Sequence, residues 1–242
     1  PMPHAWMESQ FQLQKRILHR MYSLGMKPVL PAFAGFVPPG MAKLFPRSNI
    51  TLSKYPWGHF NASYSPVHVV EVTDPLFHTI GTLFLQMQRQ LYREYFDLSW
   101  GETHYFSADT YNEMSPPSMD LTYLHNSSKS VFTSIRSVDP TAVWVMQGWL
   151  FLWTDVWTKP RIQAYLSGVD NYDDESSSDE ERLIILDLMS EAYPQYQRSD
   201  YYFGKAFLFN MLHNFGQNHG MYGRAHVISA EPIGLFQNQS ST

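Results

Sequence analysis

The residues with the most chemical promise lie in one stretch, Tyr105-Phe106-Ser107-Ala108-Asp109-Thr110-Tyr111-Asn112-Glu113-Met114-Ser115-Pro116-Pro117. A strand-like run leads into Asn112-Glu113, and Pro116-Pro117 then ends any regular element. A glutamic acid at the end of a buried strand sits in apolar surroundings. Desolvation raises its pKa, so it keeps its proton near working pH and can deliver it to a leaving oxygen. Asn112 beside it can hydrogen-bond a substrate hydroxyl. The competing reading is a Glu that caps the following helix. A second polar group, His213-Asn214 and Asn218-His219, either binds ligand hydroxyls or an amide, or satisfies loop backbone. The spacing of His213 and His219 fits no standard zinc pattern. Trp57 is equally a stacking platform or a core residue, whereas Trp144 and Trp153 read as packing. Asp187 either lines a site or is a satisfied buried Asp.

These side chains need a scaffold, and the chain alternates strand-like and helical signals. Residues 5–24 read as an amphipathic helix ended by Gly25, with Lys15, Arg16, His19 and Arg20 on its solvated face. An apolar run over 27–35, bounded by Pro and Gly, reads as a buried parallel strand. Residues 36–73 hold no sustained period and predict a functional loop or small insertion. Asp74-Pro75 opens a helix to about Phe96. Strands are predicted at 104–112, 142–150, 183–188 and 206–212. Helices are predicted at 119–138 and 158–168, with a weak one near 220–230. This alternation implies a parallel α/β sheet. A closed barrel needs eight strands, and five are visible. The open doubly wound alternative lacks its usual Gly-rich phosphate loop. At the end of a barrel strand Glu113 falls on the catalytic face, and an Asn-Glu pair there recurs in sugar-cleaving barrels.

Composition narrows the partners. The chain has 242 residues, 44% of them hydrophobic, enough to bury a core. Its net charge of −5, without a basic stripe, argues against nucleic acid. No apolar run reaches the length of a membrane span. Cysteine is absent, so no disulfide framework can be read. Four of the nine asparagines, Asn49, Asn61, Asn126 and Asn238, stand in Asn-x-Ser/Thr sequons, which points to a glycosylating compartment. The acidic, Ser-rich run at 170–182 reads as a solvated surface-loop insertion, since its spacing matches no calcium loop.

Five blocks then occur in order: Leu30-Pro31-Ala32-Phe33-Ala34-Gly35, Tyr55-Pro56-Trp57-Gly58-His59-Phe60-Asn61, Ala108-Asp109-Thr110-Tyr111-Asn112-Glu113, Trp144-Val145-Met146-Gln147-Gly148-Trp149-Leu150-Phe151, and Met211-Leu212-His213-Asn214-Phe215-Gly216-Gln217-Asn218-His219-Gly220. Together, over nearly the whole chain, they resemble the α-N-acetylglucosaminidases of glycoside hydrolase family 89. The resemblance implies a (β/α)8 TIM-type barrel, with 1–242 as part of that single domain, truncated at both ends, and about five of eight strands present. It implies a retaining hydrolase of terminal α-linked N-acetylglucosamine, acting in animals on heparan sulfate in lysosomes, without cofactor or metal. Secretory-pathway or lysosomal localisation follows. Glu113 matches the acid/base, Asn112 its helper, and Trp149 an aromatic of the sugar pocket. His213, Asn214 and Trp57 become candidate substrate contacts.

The family's nucleophile is a second Glu in a Pro-Glu-Gly turn soon after the segment matching Phe236-Gln237-Asn238. No Pro-Glu-Gly occurs here, and Glu231-Pro232 has the wrong order. Retention needs two carboxyl groups about 5–5.5 Å apart. The expectation is therefore a chain that is inactive and marginally stable alone. The rival is a truncated paralogue that binds glycans without cleaving them. A third reading is a barrel hydrolase of different sugar specificity.

Overall fold

A computed structural model describes residues 2–52, 67–96, 103–111, 114–170, 182–211 and 224–239. Helix α1 (His4–Ser23) leads into strand β1 (Val29–Pro31). Then come β2 (Phe36–Val37), the short helix α2 (Met41–Leu44), β3 (Ile50–Leu52) and β4 (His68–Val70). Helix α3 (Pro75–Phe96) precedes β5 (Tyr105–Ser107), and α4 (Leu121–Arg136) precedes β6 (Val143–Gln147). Helix α5 (Lys159–Leu166), β7 (Leu183–Asp187), a four-residue turn α6 (Asp200–Phe203), β8 (Ala206–Phe209) and α7 (Ala225–Gln239) complete the order.

Five strands form one parallel sheet in the order β1-β5-β6-β7-β8. That is the partial-barrel pattern expected from the strand–helix alternation. The register runs from Val29↔Tyr105 at one edge to Asp187↔Phe209 at the other. Trp144 pairs Leu183 between them. The crossover helices pack on one another, α3 on α4 and α4 on α5. Strand β7 is apolar along its length, and Leu183, Ile185 and Asp187 are fully buried. Ile184 and Leu186, on the opposite face, are partly buried, so the unbroken Leu-Ile-Ile-Leu marks a strand covered more fully on one face than on the other.

Helix starts follow the expected chemistry. Asp74 Oδ1 accepts the Leu76 N–H at 2.8 Å and its Oδ2 accepts the Asn49 N–H at 2.7 Å. One carboxylate thus caps α3 and pins the preceding insertion. Asp120 caps α4 through the Tyr123 N–H at 3.0 Å.

The stretch 36–73, read as an aperiodic loop or insertion, contains a second sheet. Its strands are antiparallel in the order β2-β4-β3. They run only two or three residues each, too short for period-two patterning to show in sequence. The parallel strands are also shorter than their apolar runs, because flanking apolar residues enter the rim instead of the ladder. Residues predicted as strand at 148–150 form a 3-10 turn, Gly148–Leu152. The last helix begins at Ala225 and reaches Gln239. Trp144 packs as expected, but Trp153 is 38% exposed and does not. The segment 171–181, the centre of the acidic insertion, lies outside the described residues.

The core is aromatic. Trp157 and Trp144 meet Tyr165 edge-on, and Phe151 meets Trp157. Tyr202 anchors the α6 turn, where Asp200, Tyr201, Tyr202 and Phe203 all take positive φ, from 47° to 55°. Left-handed residues with side chains cost about 1–2 kcal/mol each. Tyr202 is completely buried in that turn, and its N–H donates to Ser199 Oγ at 3.3 Å.

Candidate active site

In parallel βα architectures chemistry sits beyond the carboxyl ends of the strands. Here that rim is formed by Ala32-Phe33 after β1, Ala108–Tyr111 after β5, Gly148–Leu152 after β6, Leu188 onward after β7 and Asn210 after β8.

The β5 rim is the most tightly determined. The Trp144 indole N–H donates to Ala108 O at 3.2 Å, so a core residue of β6 fixes where the β5 loop begins. Asp109 follows, half-buried, and accepts the main-chain N–H of Gln147 across the sheet. Burial raises the Asp109 pKa; that hydrogen bond pulls it back in part. Tyr111 is buried, and its carbonyl accepts the Met114 N–H at 3.2 Å. The intervening Asn112 and Glu113 lie outside the described residues, but their two flanks are fixed on the carboxyl-terminal face.

Trp149 stands in the 3-10 turn directly after β6, half-buried. Its approach to the neighbouring strand depends on Gly148. A Cβ at Gly148 would meet Leu186 O at 2.8 Å and both Ile185 Cγ2 and Tyr202 Oη at 3.3 Å. Glycine is required there for closeness, not for a positive φ.

Asp187 resolves to the structural of its two readings. It is fully buried at the end of β7, where its carboxylate accepts N–H bonds from Gln195 at 3.1 Å and Tyr196 at 3.0 Å. It closes the 188–196 loop. Burial raises its pKa despite those bonds. The same loop is held by Arg198, which donates to Gln195 Oε1 at 2.6 Å, to Trp157 O at 2.8 Å and to Phe151 O.

A cleft of about 330 Å³ opens beside the β5 rim, between the small sheet and the start of α4. Asn49, Leu52, Glu71, Tyr111, Pro116 and Tyr123 line it. A larger cavity of about 710 Å³ runs between β8 and α7 and reaches the amino ends of the strands at Arg182 and Lys205, away from this face.

Trp57, His213 and Asn214 lie outside the described residues, as does Asn61. Asn49 and Asn126 are exposed, and Asn238 falls in α7. In the Asn126 sequon Ser128 is buried, with its hydroxyl on Tyr165 O. Asp109, Gln147, Glu71, Tyr111 and Tyr123 were not singled out from sequence. Asp109 and Tyr111 stood inside the informative stretch. Nothing local marks Glu71 or Tyr123, which reach the rim only through packing. Among the described residues no cluster of three His, Asp or Glu side chains is placed to hold a metal. No described helix is long and apolar enough to cross a membrane.

The family "alpha-N-acetylglucosaminidase (NAGLU) TIM-barrel domain" matches residues 1–242. Human α-N-acetylglucosaminidase is 41% identical over 99% of the chain. The chain spans 30% of that protein's length. Two solved structures of a family 89 glycoside hydrolase from Clostridium perfringens share the fold at 20% identity. One, bound to 2-acetamido-1,2-dideoxynojirimycin, has a TM-score of 0.74. The other, with two glutamates exchanged for glutamine and bound to its substrate GlcNAc-α-1,4-galactose, has 0.75. Each covers 98% of this chain, which spans 24% of theirs.

Proposed function

This chain belongs to the α-N-acetylglucosaminidase TIM-barrel family, and on that premise we propose that it supplies the general acid/base of a retaining glycosidase acting on terminal α-linked N-acetylglucosamine. The observation that carries the reading is the β5 rim. Tyr111 and Met114, the described residues on either side of Asn112-Glu113, lie just past the carboxyl end of parallel strand β5, on the face where barrel enzymes keep their catalytic groups. Glu113 protonates the glycosidic oxygen and then deprotonates the attacking water; Asn112 binds a neighbouring hydroxyl. Trp149, on the adjacent rim, supplies a flat apolar wall for a sugar face. Trp57, His213 and Asn214 complete the substrate contacts.

Retention requires a second carboxylate as nucleophile. The Clostridium relative, holding its substrate when two glutamates are glutamine, fits such a pair. No Pro-Glu-Gly occurs in this chain, so the 242-residue piece alone is inactive. The glycan partner carries a terminal N-acetylglucosamine, as in heparan sulfate. The four sequons support a secretory or lysosomal protein. Since Ser128 is buried in the fold, a glycan on Asn126 is added before α4 packs.

The test is hydrolysis of an aryl α-N-acetylglucosaminide by the full-length polypeptide, by the 242-residue chain, and by full-length Glu113→Ala. Activity confined to the unsubstituted full-length protein supports the reading. Turnover by the 242-residue chain refutes the missing-nucleophile reasoning. Glycan binding without turnover in any form favours a non-catalytic glycan-binding paralogue.

A further inference from the structure

Between the β5 and β6 rims lies a small chamber that the acid chemistry leaves unused. Asp109 and Thr110 line it from the loop after β5, Gln147 and Leu150 from β6 and its 3-10 turn, and Tyr165 of α5 adds a buried wall. Its volume is about 10 Å³, the room of a single water-sized oxygen. Two polar side chains on its wall are not fully engaged. Thr110 is 3% exposed, yet its Oγ1 has no hydrogen-bond partner among the described residues. The Asp109 carboxylate accepts the Gln147 main-chain N–H, which takes one of its roughly four acceptor sites. The Tyr165 phenol keeps its proton, because burial and the neighbouring Tyr111 and Asp109 all oppose its ionisation.

Packing alone does not call for these groups. Valine would fill the volume of Thr110 without a hydroxyl, and a buried hydroxyl with its bond unmade costs its full desolvation. Such orphans are rare in folded proteins and point to a ligand or a function. Burial also raises the Asp109 pKa, and the single Gln147 bond offsets only part of that. An oxygen that both donates and accepts would satisfy the two side chains together. A hydroxyl is such a group: its O–H donates to Asp109 while its lone pairs accept from Thr110. Room for one oxygen admits no acetamido, carboxylate or sulfate group. The chamber lies at the carboxyl ends of β5 and β6, where barrel enzymes bind substrate. Trp149, the proposed sugar wall, immediately precedes Leu150 in the same turn.

We propose that this chamber is a subsite for one free hydroxyl of the bound sugar, read by Asp109 and Thr110. The identity of the sugar rests on the glycosidase reading; the subsite rests on no catalytic carboxylate. A ligand lacking that hydroxyl leaves both groups buried and unpaired. Sites that hydrogen-bond a substrate hydroxyl reject the analogue without it far more strongly than apolar pockets reject a missing methylene.

The experiment uses the full-length polypeptide, unsubstituted and carrying Thr110→Val, Thr110→Ser or Asp109→Asn. Calorimetry measures binding of 2-acetamido-1,2-dideoxynojirimycin and of its forms lacking the C3, C4 or C6 hydroxyl. The same proteins are assayed for kcat/KM on an aryl α-N-acetylglucosaminide and its 3-, 4- and 6-deoxy analogues, and melting temperature shows that each variant folds. The unsubstituted protein is expected to lose at least about a hundredfold on one deoxy form and far less on the other two. Thr110→Val should weaken the complete ligand about tenfold and Asp109→Asn about ten- to a hundredfold, while each leaves that one deoxy form within about twofold. Thr110→Ser, which keeps the hydroxyl, should match the unsubstituted protein. Selective binding without hydrolysis would uphold the subsite and refute the glycosidase reading. Neither binding nor hydrolysis would refute both. If the three deoxy forms are treated alike, or the variants weaken complete and deoxy ligands by the same factor, the subsite is overturned and the two side chains serve the fold or an internal water.

Discussion

The contact that seats Trp149 can be tested with one methyl group. Gly148→Ala places a Cβ 2.8 Å from Leu186 O, a backbone atom of the adjacent strand. Relaxed carbon–oxygen contacts lie near 3.3 Å. The β6 and β7 ends must therefore separate by about 0.5 Å to restore an ordinary contact. Tyr202, buried behind the same glycine, leaves no free volume for the shift. Overpacking of this kind costs about 1–3 kcal/mol, a fall of about 2–12 °C in melting temperature for a domain of this size. The displaced residue is Trp149 itself. With Trp149 in the proposed role of a sugar wall, a half-ångström error there lowers kcat/KM on the order of tenfold. The matched control is Gly40→Ala, whose right-handed backbone has no atom within 4 Å of the added carbon. It should be neutral or stabilising by about 0.4–1 kcal/mol. Thermal melts and kcat/KM of the full-length enzyme decide the matter. If Gly148→Ala matches Gly40→Ala in both, the rim is not close-packed as described and Trp149 owes nothing to Gly148.

Two further expectations concern stability. A Cβ at Gly168 would strike Lys129 N at 2.7 Å and come closer still to His125 O and Ser128 Oγ. Gly168→Ala should therefore cost about 3 kcal/mol or more, seen in denaturant unfolding, because the α4 backbone cannot retreat from it; a shift below 1 kcal/mol would contradict the packing. Asp187 has a folded pKa raised by burial above the ordinary 3.8. Its contribution to stability is complete below pH 3.8 and is lost as pH rises through the raised folded value, because the unfolded chain gives up the proton first. Melting temperature should decline from pH 4 upward more steeply in the parent than in Asp187→Asn. Equal slopes would show that Asp187 is ionised in the fold.

Much of the scaffold is legible in the linear order of residues. Leu183 to Leu186 reads as a buried strand, and Asp74-Pro75 announces its helix, because these signals rest on period, backbone restriction and caps within a few residues. The same local rules put a strand-like run ahead of Asn112-Glu113 and two prolines after it in the sequence. The small sheet was not legible, since strands of two and three residues carry too little pattern and acquire their partners only through the insertion's return path. Asp187 was ambiguous for a similar reason. Whether a carboxylate at a strand end faces a cleft or a loop depends on where Gln195 and Tyr196 come to rest. The amino-acid order by itself thus determined the βα frame. Tertiary structure alone decided what packs around the β5 and β6 rims. Gly148 against Leu186, and Glu71 through Tyr123 to Tyr111, are contacts between residues far apart in the chain. Close packing selects such pairs only once the strands are in register, and no local propensity encodes them.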